Sequence, residues 1–277
     1  MIITVVGLGV VGGSFVKALK GQGHEVYGVD VDEETLARAK ADGCIKEGFV
    51  DGREIIKKSD MTIICLYPSL VLDYIKNHEF KKGSIITDAV GVKTHFLNEA
   101  MDLLKDKDVE FVSGHPMAGR ENKGYLYASK EVFQGANYIL IQHEENSKSA
   151  IAMMEQFVSN LGFHSVKIMS PQAHDEIISF TSQLPHVIAV SLIDSDNQKY
   201  DTGKYIGDSY RDLTRIANIN EDLWTELFFT NKNNLLKSIQ GFEDQLDILK
   251  KAIKEEDADT LKAMFIESSK IRRNLEK

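Results

Sequence analysis

Along the first 170 residues, short apolar runs of strand length alternate with stretches whose apolar positions recur every three or four residues. The runs fall at residues 2–6, 26–29, 61–66, 84–87, 110–112, 137–141 and 165–169. Such alternation predicts βαβ units and a mostly parallel sheet. Between the second and third runs, Asp32 followed by Glu33 and Glu34 reads as a helix cap with acids in the first turn. It predicts a helix over 33–41 that Gly43 ends. Beyond Ser170-Pro171 the strand-like runs stop. Apolar residues then recur at helical spacing, as in Leu223, Leu227 and Phe228, in Leu235 and Ile239, and in Phe242, Leu246 and Leu249. The pattern therefore predicts two domains: residues 1–170 built on a sheet, and residues 171–277 all helical. Helices with this much apolar surface expose a large patch if left alone, so a homodimer through the helical domain is expected.

The first run leads directly into a glycine turn, Gly7-Leu-Gly-Val-Val-Gly12, and the second ends in Asp30, 18 residues beyond Gly12. Strand, G-x-G-x-x-G turn, helix and distal acid together mark the Rossmann-like class of α/β domain. Gly7 permits the turn, Gly9 admits a pyrophosphate close to the backbone, and Gly12 lets the helix pack against the strand. A carboxylate at Asp30 accepts ribose hydroxyls and repels a 2′-phosphate, which favours NAD over NADP. Leu8, Val10 and Val11 within the turn, and Pro68 just past the third run, complete the residues expected at the cofactor. Ser14, inside the first helical turn, reads as a pyrophosphate-side residue rather than a nucleophile.

With 277 residues and a formal charge of −9, the chain suits two domains and argues against nucleic acid as a partner. An anionic substrate would have to be held by a few local cations. The two cysteines, Cys44 and Cys65, support neither a disulfide framework nor a metal cluster. His174, Asp175 and Glu176 are sequence neighbours whose side chains are expected to diverge around a helix, so no metal is expected. No stretch reaches the roughly 18 uninterrupted apolar residues of a membrane span. The first strand follows Met1 directly, so no targeting segment is expected and the cytoplasm is the default location.

The richest site for chemistry follows the run at 110–112: Ser113-Gly-His-Pro-Met-Ala-Gly-Arg-Glu-Asn-Lys-Gly124. In this class of sheet, reacting groups lie beyond the carboxyl ends of the strands. His115, held extended between glycine and proline, is in that position, and an imidazole there can take a hydroxyl proton. The residues alone leave it two readings, catalytic or structural.

The loop His115-Pro-Met-Ala-Gly119, the glycine turn with Asp30, the segment Gln183-Leu-Pro-His186 and the segment Asp212-Leu-Thr-Arg-Ile-Ala217 together resemble the prephenate dehydrogenase family. The motifs occur in family order, from residue 2 to at least Trp224. The resemblance implies an NAD(P)-dependent oxidative decarboxylation in tyrosine biosynthesis, from prephenate to 4-hydroxyphenylpyruvate, or from arogenate directly to tyrosine. It makes His115 the acceptor of the C4 hydroxyl proton and gives Arg215 an anionic end of the substrate, the ring carboxylate first. A guanidinium suits that role because it grips carboxylates bidentately. It also makes His186 a second substrate-site histidine and draws Glu121, Asp212 and Arg215 into an ionic cluster. Asp212 and Arg215 also have a plainer reading as a surface pair on one helix face. Family members dimerise through the helical domain, the region that holds Trp224.

Two positions depart from the family pattern. Gly91, in Asp88-Ala-Val-Gly-Val-Lys93, stands where the family often has serine, and Gln183 stands where it has the first histidine of His-Leu-Pro-His. Both are expected to border the substrate and to bear on the choice between prephenate and arogenate. No chorismate mutase segment is expected before the glycine turn and no regulatory module after the helices, so any tyrosine feedback is expected to act at the site itself. Two rivals remain on sequence grounds. One is a β-hydroxyacid or 6-phosphogluconate-type dehydrogenase, for which Lys93 is the tempting catalytic lysine; the other is a dinucleotide-sensing protein without turnover.

Overall fold

The computed structural model describes residues 1–118 and 122–275. Six strands form one parallel sheet: β1 (Ile2–Val6), β2 (Glu25–Val29), β3 (Glu47–Phe49), β4 (Met61–Ile64), β5 (Ser84–Asp88) and β6 (Val109–Phe111), in the order β3-β2-β1-β4-β5-β6. The central strands are apolar on both faces because helices cover both sides; every residue of β4 and β5 is buried. Helices α1 (Val10–Leu19), α2 (Glu33–Ala41), α3 (Arg53–Ile56), α4 (Pro68–Asn77) and α5 (Thr94–Leu104) make the crossovers. Helix α2 begins and ends as its caps predict, with the Glu34 amide donating to Asp32 Oδ1 at 3.0 Å and Gly43 at φ +66°. Strand order reverses between β1 and β4, and a crevice opens beyond their carboxyl ends.

The last strands depart from a single sheet. Short β7 (Gly114–Pro116), β8 (Asn137–Ile141) and β9 (Ser165–Met169) form a separate sheet in the order β7-β8-β9, antiparallel then parallel, with α6 (Lys148–Asn160) crossing from β8 to β9. Only Val112 and Ser113 separate β6 from β7, whereas a parallel neighbour needs a crossover of a dozen residues or more. The chain therefore leaves the first sheet and starts a second. His115 thus lies in a strand, opposite Ile139, rather than in a loop. Gly114 is required there: a Cβ would fall 2.2 Å from the hydroxyl oxygen of buried Tyr138.

From residue 171 the described chain is helical: α7 (Pro171–Ile178), a wide π turn over Ser179–Gln183, α8 (Leu184–Asp194), α9 (Asp208–Thr214), α10 (Glu221–Thr230), α11 (Lys232–Lys254) and α12 (Ala258–Asn274), with short 3-10 turns between. Ser170 caps α7 by accepting from the Ala173 amide. The continuous helical stretch Pro171–Asp194 is long and apolar enough to cross a membrane by length and composition. Its buried His174, Asp175 and Gln183 are each bonded to groups elsewhere in the protein, which ties this stretch into the fold.

Candidate active site

The cofactor cradle follows from the backbone of the first turn. Gly7 has φ +82°, and a Cβ on Gly12 would meet the Gly7 carbonyl oxygen at 1.9 Å, so strand and helix can pack this closely only without side chains. Around Gly9 nothing lies within 4 Å of where a Cβ would sit, leaving its backbone open to a phosphate group. Gly9 caps α1 without a side-chain bond. Asp30 is fixed at the end of β2, accepting from the Leu8 amide at 2.6 Å and the Asp32 amide at 2.9 Å. These residues fit a dinucleotide with an unphosphorylated ribose. Ser14 does not join them. It is fully buried, donates to the Val10 carbonyl and accepts from the Ser129 amide, so it stitches the helix to a neighbouring loop.

A cleft of about 560 Å³ opens from this turn toward the helical region. Gly9, Val10, Val11 and Pro68 line it together with Gly91, His115, His186 and Trp224. Two bonds tie the halves together beside it: the Asn220 side-chain amide donates to the Tyr67 hydroxyl at 2.7 Å, and the Ser69 amide donates to Glu226 at 2.8 Å. His115 and His186 come from distant stretches of chain to one cavity. The His186 ring stacks on Trp224 with centroids 3.7 Å apart, and its Nδ1 donates to the Ser182 carbonyl at 2.9 Å. Burial lowers its pKa, so Nε2 of the neutral ring is an acceptor.

Behind His115 lie two buried polar residues of α7, His174 and Asp175. His115 Nδ1 is 2.9 Å from His174 Nε2, and His174 Nδ1 is 2.8 Å from Asp175 Oδ1. Neighbouring side chains on α7 do not diverge here, because both sit on its buried face. Pro171, His174, Asp175 and Ile178 make a stripe at helical spacing. Two polar residues on a stripe that must be core were the available signal. Burial first, with the Lys93 ammonium and the His174 ring close by, holds the His115 pKa well below that of an ordinary imidazole. His115 is therefore neutral and able to accept a proton at neutral pH.

Lys93 answers one rival directly. It is fully buried and donates to Asp88 at 2.5 Å and to the Gly114 carbonyl at 2.7 Å, which steadies the strand that carries His115. Its ammonium has its partners inside the protein, where a catalytic lysine would need to face substrate. Gln183 is also corrected. It is buried, donates to the Leu227 carbonyl at 2.9 Å and accepts from Asn231 at 2.8 Å, so it joins helices and does not border the cleft. Gly91 does line the cleft: a Cβ there would lie 3.9 Å from His115 Cε1 and 3.4 Å from Leu227.

The cation is placed less centrally. Arg215 is exposed at the start of the turn Arg215–Ala217; its neighbour Ile216 lines the cleft, while Arg215 is not among the lining residues. Asp212 is exposed one turn earlier, and among the described residues no ion pair joins it to Arg215. Glu121 lies outside the described residues.

Comparison with known proteins is consistent along nearly the whole chain. Residues 15–167 match the family model "Prephenate dehydrogenase, nucleotide-binding domain", and residues 170–267 match "Prephenate dehydrogenase, dimerization domain". The glycine turn precedes the first matched stretch and stands on its own geometry. The prephenate dehydrogenase of Bacillus subtilis is 28% identical over 276 residues, covering 95% of this chain and 73% of the relative. A crystal structure of prephenate dehydrogenase from A. aeolicus, in complex with hydroxyphenyl propionate and NAD+, superposes with a TM-score of 0.88 at 28% identity, over 100% of this chain and 98% of that one. Synechocystis arogenate dehydrogenase superposes at 0.84 with 26% identity, over 99% and 100% of the two chains.

Proposed function

The chain belongs to the prephenate dehydrogenase family, and on that premise we propose that it carries out the NAD-dependent oxidative decarboxylation of prephenate to 4-hydroxyphenylpyruvate. The observation that carries this reading is a neutral imidazole, His115, lining the same cleft as the glycine turn, with its Nδ1 bonded behind it. Among the described residues Nε2 makes no hydrogen bond and is the atom left to meet a substrate hydroxyl.

In this reading Gly9 and the start of α1 hold the pyrophosphate, and Asp30 holds the adenosine ribose. NAD, when bound, supplies the acceptor for the hydride that leaves C4. His115 Nε2 takes the C4 hydroxyl proton, so the oxygen can form a carbonyl as the C–H bond breaks. Loss of the ring carboxylate as carbon dioxide then aromatises the ring: the bonding pair passes through the ring to the C4 oxygen, which takes back the proton from His115 Nε2 and becomes a phenol. Aromatisation drives this second step, so position and one proton acceptor suffice. Arg215 supports the reading as the cation next to Ile216 and is assigned the ring carboxylate. The apolar wall of the cleft, with Trp224 and Leu227, suits the flat ring.

The protein is read as a homodimer. Phe180, Leu246, Phe265 and Ile266 are exposed on the helical region, and an apolar groove of about 1000 Å³ runs between the π turn and α11. A cytoplasmic setting accords with this function.

Purified protein given NAD with prephenate, arogenate or 6-phosphogluconate tests the assignment by the appearance of NADH. Turnover fastest with prephenate is expected; turnover fastest with arogenate moves the assignment to that acid, and none with either cyclohexadienyl acid overturns it. A second result concerns the cofactor. Asp30→Ala is expected to weaken NAD use by roughly ten- to a hundredfold, the worth of one charged hydrogen bond, with much less effect on NADP. The ratio of kcat/KM for the two cofactors measures this, and a wild-type protein that prefers NADP contradicts the ribose assignment.

A further inference from the structure

Building on the reading above, we propose that His174 and Asp175 are positioning residues for His115: Asp175 fixes the tautomer of His174, His174 fixes that of His115, and a lone pair is thereby presented to the cleft on Nε2.

The order of donors and acceptors along the chain leaves one arrangement. The Asp175 side chain meets the start of α5, where its Oδ1 accepts from the Lys93 amide at 2.8 Å and its Oδ2 from the Thr94 amide at 2.7 Å. Although burial opposes ionisation, the bonds from His174, Thr94 and Lys93 hold its pKa below the ordinary carboxylate value. The group is a carboxylate and only accepts. His174 Nδ1, 2.8 Å away, must therefore carry the hydrogen. His174 is fully buried and its pKa is lowered by that burial, so the ring is neutral and its Nε2 is an acceptor. His115 Nδ1, 2.9 Å from that nitrogen, is then the donor, and the lone pair of His115 is on Nε2.

The opposite arrangement sets the His174 Nδ1 lone pair against a carboxylate oxygen inside the protein, two acceptors face to face with no water to separate them. When His115 takes a proton on Nε2, its Nδ1–H bond to His174 becomes charge-assisted, and the fixed carboxylate two bonds away offsets the new charge. Asp175 is anchored by backbone amides of the sheet half while its own helix α7 begins the helical half. The same carboxylate that orients the imidazole thus also fixes one half against the other.

A purely structural role for His174 would require only that it fill space and tie α7 to β7, so the test reads the tautomer itself. In the full-length protein labelled with 15N histidine, nuclear magnetic resonance at neutral pH is expected to show His115 protonated at Nδ1 and bare at Nε2. In His174→Leu it is expected to show a mixture of tautomers. With the preferred cyclohexadienyl acid, His174→Leu should lower kcat by on the order of a hundredfold while KM changes by less than about threefold. His174→Gln, whose amide can accept from His115 and donate to Asp175, should recover kcat to within about tenfold of wild type. Unchanged NAD affinity shows that each variant is folded; if the leucine variant fails to fold, the wild-type spectrum and the glutamine variant decide. A hydrogen on His115 Nε2 in the wild type, or a folded glutamine variant no better than leucine, overturns the proposal. The spectrum needs no turnover, so it separates failure of this proposal from failure of the substrate assignment.

Discussion

His115→Asn is expected to lower kcat by at least about a hundredfold while the substrate KM stays within a few-fold of wild type. The amide preserves a polar group of similar reach but cannot take a proton, so only the step that removes the hydroxyl hydrogen suffers. Steady-state rates with the preferred acid measure it, and an unchanged kcat rejects His115 as the base. The pH profile gives a second signature. In the proposed role His115 acts in its neutral form, and burial, with His174 and Lys93 close by, pushes its pKa well below the usual 6.5. Asp175 and Asp88 act on the neighbouring His174, whose pKa stays lowered by burial despite them. Lowering the pH therefore leaves kcat/KM intact through the ordinary imidazole range, and the rate falls only below it. The same sign governs stability: between the two pKa values the unfolded chain binds more protons, so acid weakens the fold over that interval.

Arg215→Ala is expected to raise the substrate KM by roughly 30- to 150-fold, equivalent to about 2–3 kcal/mol of charge-assisted hydrogen bonding, with a smaller change in kcat. The protein carries a net charge of −9, so a dianionic substrate depends on local cations, and no broad positive field replaces a lost guanidinium. In this structure Arg215 is exposed and adjoins the cleft through Ile216. A substrate-holding role therefore requires its long side chain to turn toward the cleft when substrate is present. Increasing salt should weaken substrate binding in wild type more than in the variant, because screening acts on the charge the variant lacks. If KM holds and only the melting temperature falls, Arg215 is a surface structural residue and the carboxylate is held elsewhere.

What was legible in the sequence was what the backbone decides locally. The turn at Gly7 requires a positive φ, Gly12 requires bare backbone contact, and Asp32 caps α2; each is a constraint within a few residues. His115 was legible for the same reason, since glycine before and proline after force an extended chain. What failed to show depended on distant partners. An apolar run announces a strand but not the sheet it enters, so β8 and β9 read as continuing a sheet they leave. Strands β3 and β7 have three residues each, too few for any alternation to register. His174 lies 59 residues from His115 along the chain, and adjacency to Asp175 argued for divergence until the buried face of α7 brought both inward. Gln183 looked like a substrate contact because of its motif position, yet the π turn directs it to Leu227 and Asn231.

In the proposed reaction one cleft removes a hydride and then carbon dioxide from the same cyclohexadienyl ring. Measuring NADH and released carbon dioxide together, in single turnovers of the wild-type protein with NAD and prephenate, tests it most directly. The two are expected to appear one for one, with 4-hydroxyphenylpyruvate as the aromatic product. Carbon dioxide without NADH, NADH without carbon dioxide, or neither in a protein that binds both molecules would contradict it.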